Sequence, residues 1–246
     1  MTGAGAAALP WPPAGPAPYP AEWSRVPQLW LVQAPEAGAP LDMSVLDEGE
    51  RGRAAALRRP ADRALFAAAH TALRRLLGSC LDLPADRVPL TRLPCPGCGG
   101  PHGRPAVAGP SGEEVHFSLS RSGGLALLGL AGRPIGVDIE RVPGARMAED
   151  VAASLHPSEQ AELAALPRAR RPAAFARCWT RKEACLKATG AGISGTSLRT
   201  LRLGTGPLPA GVAGWELTDV RVPPGHAAAC AVREEEPSGE RDRSAP

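Results

Sequence analysis

The sequence predicts an α+β protein built from two pseudo-symmetric halves, each a long helix packed on a small, mostly antiparallel sheet. Two observations favour this class. Apolar residues recur at helical spacing over residues 60–77 and again over 172–189, and short strand-like runs bounded by turn residues accompany both helices. The two helix-plus-strand blocks each span about a hundred residues, although no sequence identity relates them.

The first half covers residues 21–132. It is predicted to contain a strand, a long helix, a turn-rich segment and two hairpin strands, in the order 26–32, 60–77, 84–112, 115–120 and 125–130. Pro60 suits the first position of the long helix. Residues 1–20, which are rich in proline, are expected to be a disordered leader.

The second half covers residues 133–232. Its predicted elements are a strand, two short helices, a long helix and three strands, at 134–141, 148–155, 157–166, 172–189, 197–203, 215–220 and 227–232. Pro172 and Gly190 are the start and stop signals of the long helix. The charged segment 233–246 is expected to be a disordered tail.

Composition excludes some classes of protein. With 246 residues, of which 43% are apolar and 22% charged, the chain can bury a substantial core. Its longest apolar run, residues 125–130, is far shorter than the roughly 20 residues of a membrane helix, so a bilayer-spanning protein is not expected. The N-terminus has no secretory pattern, which favours the cytoplasm and reduced cysteines.

Two carboxylates are predicted on one face of a strand. Apolar and acidic residues alternate toward the end of the strand at 134–141, which places Asp138 and Glu140 side by side, about 7 Å apart at the backbone. Like charges at that spacing repel unless a cation lies between them, and Mg²⁺ is a suitable one. A solvated acidic strand face would show the same pattern.

The two lysines among the 28 basic residues, Lys182 and Lys187, both lie in the second long helix. Helical spacing places them in one sector with Glu183, whereas Arg177 and Arg181 point away and are expected in solvent. An ion pair between Glu183 and Lys187 would leave Lys182 without a partner. Acidic metal ligands beside separate ammonium groups are typical of phosphate chemistry.

Four motifs resemble those of Sfp-type 4′-phosphopantetheinyl transferases, and they occur in the family's order. They lie at residues 103–105, 117–122, 136–140 and 179–188, and they read GRP, FSLSRS, GVDIE and WTRKEACLKA. The resemblance implies two similar α+β halves with the active site in the cleft between them, where coenzyme A would bind.

The resemblance also implies a reaction. The 4′-phosphopantetheine group of coenzyme A would be transferred to a serine of an apo acyl or peptidyl carrier protein, with release of 3′,5′-ADP and with Mg²⁺ as cofactor. Asp138, Glu140 and Glu183 would hold the metal. Glu183 would also accept the serine proton, and Lys187 would stabilise the departing diphosphate.

Further residues would contact the phosphates of coenzyme A, namely Lys182, Arg104 and Ser120. Two positions depart from the family pattern, because Arg104 stands where lysine is common and Arg121 where histidine is usual. Guanidinium is a good phosphate ligand, so both changes preserve phosphate binding, but Arg121 cannot act as a titratable base. Arg63 on the first long helix is another candidate for this pocket.

A second metal site is suggested by Cys95, Cys98 and His102, whose C-x2-C-x3-H spacing supplies three of the four ligands of a tetrahedral zinc. Candidates for the fourth ligand are His116, Cys80 and water. A reduced thiol pair in a turn and a redox dithiol are the alternatives. A zinc ion here would order the loop that leads to the GRP motif.

Two other functions are compatible with these patterns. One is a zinc-containing nucleic-acid-binding module, and the other is a different Mg²⁺-dependent phosphotransferase. A net charge of +3 over 246 residues provides no basic stripe, so nucleic acid is not an expected partner, and neither is a membrane. The expected partners are coenzyme A and an apo carrier protein, and the family resemblance predicts a monomer.

Overall fold

The computed structural model describes residues 5–12, 26–110, 114–190 and 195–234, with the backbone alone at 195–197. In these ranges the strands are β1 (Ala6–Ala7), β2 (Leu9–Trp11), β3 (Gln28–Gln33), β4 (Leu90–Arg92), β5 (Pro105–Val107), β6 (His116–Ser122), β7 (Leu125–Ala131), β8 (Ile135–Arg141), β9 (Trp215–Arg221) and β10 (His226–Arg233). The helices are α1 (Glu48–Ala56), α2 (Pro60–Leu81), α3 (Ala145–Ala152), α4 (Pro157–Ala165), α5 (Arg171–Thr189) and α6 (Gly195–Thr200). The chain is therefore an α+β protein, as predicted.

One four-stranded sheet has the order β2-β3-β7-β6, in which β2 runs parallel to β3 and the other pairs are antiparallel. Helix α2 packs on one face of this sheet. The shared cluster buries large apolar side chains, including Trp30, Leu73, Leu76, Phe117 and Leu128. Burial of each such side chain stabilises the folded state by roughly 1.5–3 kcal/mol, and this burial holds α2 on the sheet.

The other four-stranded sheet has the order β1-β9-β10-β8, with β1 parallel to β9 and the remaining pairs antiparallel. Helix α5 lies across β8 and β10. Small side chains fill this contact, among them Ala184 and Ala188 of the helix and Ala229 and Ala231 of β10. Small residues allow the helix backbone to approach the strands closely, and this approach decides where the functional groups of α5 lie.

The two sheets share a second buried cluster. It includes Leu127 of β7 and Ile135, Val137 and Ile139 of β8. Because side chains alternate along a strand, the residues between these apolar positions of β8 point the other way, toward α5. The same alternation that buries the apolar side chains of β8 in the core thus directs Asp138 toward α5.

Three features of the fold differ from the predictions. Residues 6–7 and 9–11 form strands, although 1–20 was expected to be a disordered leader; backbone pairing and the edge-on packing of Trp11 on Trp30, with ring centroids 5.9 Å apart, hold this segment. The strand predicted at 197–203 is wrong, because α6 occupies its first part. Helix α1 was not predicted, although Asp47 and Glu50 form the capping box that begins it.

A further difference is the pair of strands β4 and β5, which form inside the segment 84–112 that was predicted to be turn-rich. The other helices and strands lie within a few residues of their predicted positions. The tail was predicted at 233–246, but Arg233 is the last residue of β10, and residues 235–246 lie outside the described residues. In the part of the chain that the structure describes, no helix combines the length and apolar character needed to cross a membrane.

Candidate active site

The carboxylates of β8 are held by serine hydroxyl groups of β6. Ser120 Oγ donates a 2.7 Å hydrogen bond to Asp138 Oδ1, and Ser122 Oγ donates a 2.7 Å bond to Glu140 Oε2. Asp138 is almost fully buried, whereas Glu140 is partly exposed. The two strands lie at the edges of different sheets, so these bonds connect the sheets at the point where the acids cluster.

Helix α5 brings Glu183 and Lys187, one turn apart, to the same carboxylates. Lys187 Nζ lies 2.6 Å from Asp138 Oδ1 and donates a 2.9 Å hydrogen bond to Ser120 Oγ. The Lys187 side chain remains 32% exposed, while Glu183 is only 5% exposed. The ammonium group thus lies between the buried acid and the solvent-accessible space outside.

The environment of Glu183 opposes its ionisation. Burial and the negative charges of Asp138 and Glu140 raise the pKa of Glu183 to about 7, against the opposing effect of Lys187. Burial is also the main cause that raises the pKa of Glu140. Because these effects require short distances, the three acids lie close enough for each charge to influence the others.

The acid cluster has ligand atoms to spare for a hard cation. Asp138 Oδ2 and Glu183 Oε1 are buried without a hydrogen-bond partner, and Mg²⁺ would satisfy such oxygens. The residues therefore fit the ion. Among the described residues, the ligand atoms of Cys95, Cys98 and His102 all lie within 4.8 Å of one another. The oxygens of the three carboxylates are more widely spaced than this group. A wider arrangement agrees with an ion that keeps several waters.

A cavity of about 340 Å³ adjoins the acid cluster. Lys187 lines it together with three guanidinium groups, those of Arg92, Arg104 and Arg121, and its described lining residues include no carboxylate. Arg121 is held over the ring of Phe66, 4.6 Å from the centroid, which is a cation–π geometry. A concave surface with four cations favours an anionic ligand.

Arg104 is supported by a neutral histidine. Its guanidinium lies 3.3 Å from His116 Nδ1. Burial, followed by the charge of Arg104, lowers the pKa of His116 to about 4, so the imidazole is neutral and can accept the hydrogen bond. This contact fixes the direction of Arg104 toward the cavity without neutralising its charge.

The structure contradicts the expectation that Lys182 contacts phosphate. Its ammonium is fully buried, lies 2.8 Å from Glu159 Oε2 and donates to the carbonyl groups of Leu198 and Leu201. Glu159 is also fully buried and accepts the backbone N–H of Leu203, which occupies the latter part of the segment predicted as a strand. Lys182 therefore connects α5 to α4, to α6 and to the residue that follows α6, and it is not among the residues that line the cavity.

The structure also places three arginines differently from the predictions. Arg181, expected in solvent, is fully buried and pairs with the carboxylate of Asp219 at 2.6 and 2.7 Å, while Arg177 donates to the Thr205 carbonyl. Helix α5 is enclosed on several sides, so a one-sided helical wheel does not describe it. Arg63 lines a different cavity and is not among the residues around the cation-lined one.

The predicted zinc ligands do come together. Cys98 Sγ and His102 Nε2 lie 3.0 Å apart, and Cys95 completes the group of three. Neither residue proposed as a fourth protein ligand joins them, because His116 contacts Arg104 and Cys80, in the last turn of α2, packs against the core cluster.

Some residues of the site were not predicted. Ser122 has a sequence signal, because the FSLSRS motif alternates serine with other residues and so places its serines on one strand face. Arg92 has no local signal. It reaches the cavity because β4 pairs with β5 in a register that aligns Arg92 with Pro105, beside Arg104.

The site combines buried acids that have unsatisfied oxygens, an ammonium group beside one of them and an adjoining cation-lined cavity. This combination is typical of an enzyme that acts on a phosphate-bearing substrate. Comparison with known proteins identifies the family. The family model of the 4′-phosphopantetheinyl transferase superfamily matches residues 134–211, which include β8 and α5. The chain belongs to the 4′-phosphopantetheinyl transferase family and is an enzyme of that class.

Three relatives support this assignment. The chain is 32% identical over 171 residues to slr0495 of Synechocystis sp., whose name assigns it to the same enzyme class, covering 69% of this chain and 67% of the relative. It is 31% identical over 171 residues to the 4′-phosphopantetheinyl transferase HetI of Nostoc sp., covering 68% and 69%. Over 92 residues it is 36% identical to the 4′-phosphopantetheinyl transferase psf-1 of Bacillus pumilus, covering 37% and 39%.

Proposed function

We propose that this enzyme transfers the 4′-phosphopantetheine group of coenzyme A to a serine hydroxyl of an apo acyl or peptidyl carrier protein and releases 3′,5′-ADP, with Mg²⁺ as cofactor. The observation that carries the proposal is the position of Lys187, which contacts Asp138 on one side and lines the cation-rich cavity on the other. A metal-binding cluster and a phosphate-binding cavity therefore share a residue.

We further propose that the chain is of the Sfp type, with two pseudo-symmetric halves and its active site in the cleft between them. Repetition in the sheets supports this. In each half, one strand precedes the long helix and a two-stranded hairpin follows it. In each sheet, the second strand of the hairpin lies between the other two, in the orders β3-β7-β6 and β8-β10-β9. Such repetition is expected of a duplicated unit.

In this proposal Asp138, Glu140 and Glu183 hold Mg²⁺, because two of these acids retain unsatisfied buried oxygens. When bound, the ion would neutralise negative charge on the diphosphate of coenzyme A. Glu183 accepts the proton of the carrier serine, either directly or through water. Its burial favours this role, since a desolvated carboxylate is a stronger base than a solvated one.

The cations hold the substrate and balance the charge of the leaving group. Arg104 and Arg121 bind phosphate oxygens in the cavity, and Arg92 adds a third guanidinium at the same wall. Lys187, oriented by the hydroxyl of Ser120, stabilises the diphosphate oxygen that leaves with 3′,5′-ADP and can supply its proton. Arg121 acts here as a permanently charged phosphate ligand and not as a proton acceptor.

We also propose that the enzyme works as a monomer in the cytoplasm. All groups of the acid cluster and of the cavity come from one chain, so no second copy is needed to complete the site. The six cysteines are unpaired, which suits a reducing compartment.

The proposal is tested by incubating the protein with an apo carrier protein, coenzyme A and Mg²⁺ and by weighing the carrier by mass spectrometry. The carrier is expected to gain the mass of one phosphopantetheine group. With Glu183→Gln, the rate of this modification should fall by roughly 100-fold or more. Glu149→Gln, which removes an exposed carboxylate on α3, is the matched control and should keep the wild-type rate.

Three results would contradict the proposal or a part of it. An unmodified carrier serine across a panel of apo acyl and peptidyl carriers would refute the assigned substrate. Phosphate release from simple nucleotides without a carrier would instead favour a different Mg²⁺-dependent phosphotransferase. A Glu183→Gln variant with the wild-type rate would remove Glu183 from the mechanism.

A further inference from the structure

A hairpin outside the acid cluster presents three potential metal ligands. Strands β4 and β5 form a two-stranded antiparallel ribbon, which two further backbone hydrogen bonds extend toward its tip. The loop at the tip, residues 94–102, carries Cys95, Cys98 and His102. None of these three side chains has a role in the proposed transfer reaction.

The ligand atoms have the spacing of a tetrahedral site. In such a site with Zn–S bonds of about 2.3 Å and a Zn–N bond of about 2.0 Å, neighbouring ligand atoms lie roughly 3.5–3.8 Å apart. Here all three atoms lie within 4.8 Å of one another, and Cys98 Sγ is 3.0 Å from His102 Nε2. Small side-chain rotations would bring them to coordination distance of a single ion.

The loop backbone is shaped to converge the ligands. Gly99 has φ +72°, a left-handed conformation that glycine adopts without strain, and its N–H donates to the Cys95 carbonyl at 2.7 Å. A Cβ on Gly100 would lie 3.0–3.3 Å from the His102 ring and from Cys98 Sγ. A side chain at position 100 would therefore push the ligands apart, whereas one at position 99 would strain the turn that brings them together.

Apolar packing contributes little to this loop. Cys95 is nearly buried, but Cys98, His102 and the residues at 96–97 are exposed. A two-stranded ribbon is only marginally stable in water by itself, and a bound metal supplies the stabilisation that such a segment otherwise lacks. The loop nevertheless borders the cation-lined cavity through His102 and Arg104, where a defined position is needed.

We propose that Cys95, Cys98 and His102 bind one Zn²⁺ ion, with water as the fourth ligand, and that this ion orders the loop at the wall of the cation-lined cavity. Two thiolates and an imidazole select zinc over a hard cation such as Mg²⁺. The solvent exposure of Cys98 and His102 gives water access to the open position. Zinc binding at this loop is independent of the transfer reaction, so the metal content can be tested whether or not the proposed function holds.

The test is elemental analysis of the full chain, purified under reducing conditions, equilibrated with zinc and then desalted. About one zinc ion per chain is expected in the wild type and about a tenth or less in Cys98→Ser and His102→Gln. Cys80→Ser, which changes a cysteine outside the group, is the matched control and should retain the metal. Replacement by Co²⁺ should produce the absorption of a tetrahedral site with thiolate ligands.

The wild-type protein alone can overturn the proposal, even if a variant fails to fold. Zinc content near zero in the reduced, folded wild type would do so. Equal zinc retention by folded Cys98→Ser would do so too, and a Cys95–Cys98 disulfide that forms in the presence of equimolar zinc would assign the pair to redox chemistry instead.

Discussion

Gly136 lies where β8 crosses α5, two residues before Asp138, and replacing it by alanine should be strongly destabilising. A Cβ at this position would lie 2.0 Å from the Ala184 carbonyl oxygen and 2.4 Å from the Ala188 backbone nitrogen. Ordinary contacts begin at about 3.5 Å, so strand and helix must separate by roughly 1 Å or more. Overpacking typically lowers the free energy of unfolding by about 1–3 kcal/mol. Because the atoms in the way belong to the helix backbone and cannot rotate aside, Gly136→Ala should lose about 3 kcal/mol.

The same separation would disturb the candidate active site. Glu183 and Lys187 belong to the helix that moves, whereas Asp138 belongs to the strand, so the Lys187–Asp138 contact would lengthen. A displacement of 1 Å between catalytic groups commonly costs about 100-fold in rate, and a loss of that order is expected for carrier modification.

The assay is urea-induced unfolding, combined with the carrier modification rate measured under conditions where the variant is folded. Gly52→Ala in α1 is the matched control, because a Cβ there meets nothing within 4 Å, and alanine in a helix should stabilise by about 0.5–1 kcal/mol. If Gly136→Ala unfolds within about 0.5 kcal/mol of the wild type and keeps its rate, the close approach of β8 and α5 is not what positions the acids.

Two further predictions concern buried charges. Burial alone would raise the pKa of Glu50, but hydrogen bonds from His70 and Arg74 lower it from 4.5 to about 2. The contribution of this carboxylate to the free energy of unfolding should therefore be complete above pH 4.5 and fall by up to about 3 kcal/mol as the pH drops toward 2. Glu50→Gln should lack this part of the decrease in acid titrations followed by circular dichroism. Lys182→Met should cost about 3–5 kcal/mol in urea unfolding, because it leaves the Glu159 carboxylate buried without its cation; a loss below about 1 kcal/mol would show that the pair is not buried as described.

Local patterns predicted much of the fold and part of the site. The alternation along β8 correctly placed Asp138 and Glu140 on one face, and helical spacing correctly placed Glu183 and Lys187 one turn apart. Both predictions depend only on the repeat of a single element, which the sequence contains. The grouping of Cys95, Cys98 and His102 was predicted in the same way, because the three residues lie within eight consecutive positions.

Predictions failed where several elements surround one residue. Lys182 and Lys187 have similar positions in the sequence pattern, yet Lys182 is buried in an ion pair with Glu159 whereas Lys187 reaches the cavity. The difference arises because α5 packs on a sheet at one side and on α4 at another. For the same reason Arg181 is buried against Asp219 of β9, thirty-eight positions away in the chain. A wheel built on one helix contains no information about such partners.

By itself, the order of the amino acids determined the α+β class and identified the acids, the ammonium group and the thiols that are proposed to carry chemistry, since each follows from side-chain type and local periodicity. Only the tertiary structure decided which cations line the cavity, which are locked into internal ion pairs, and that serines of β6 hold the acids of β8. Those outcomes depend on contacts between residues distant in the chain, and such contacts exist only once the sheets and helices have packed.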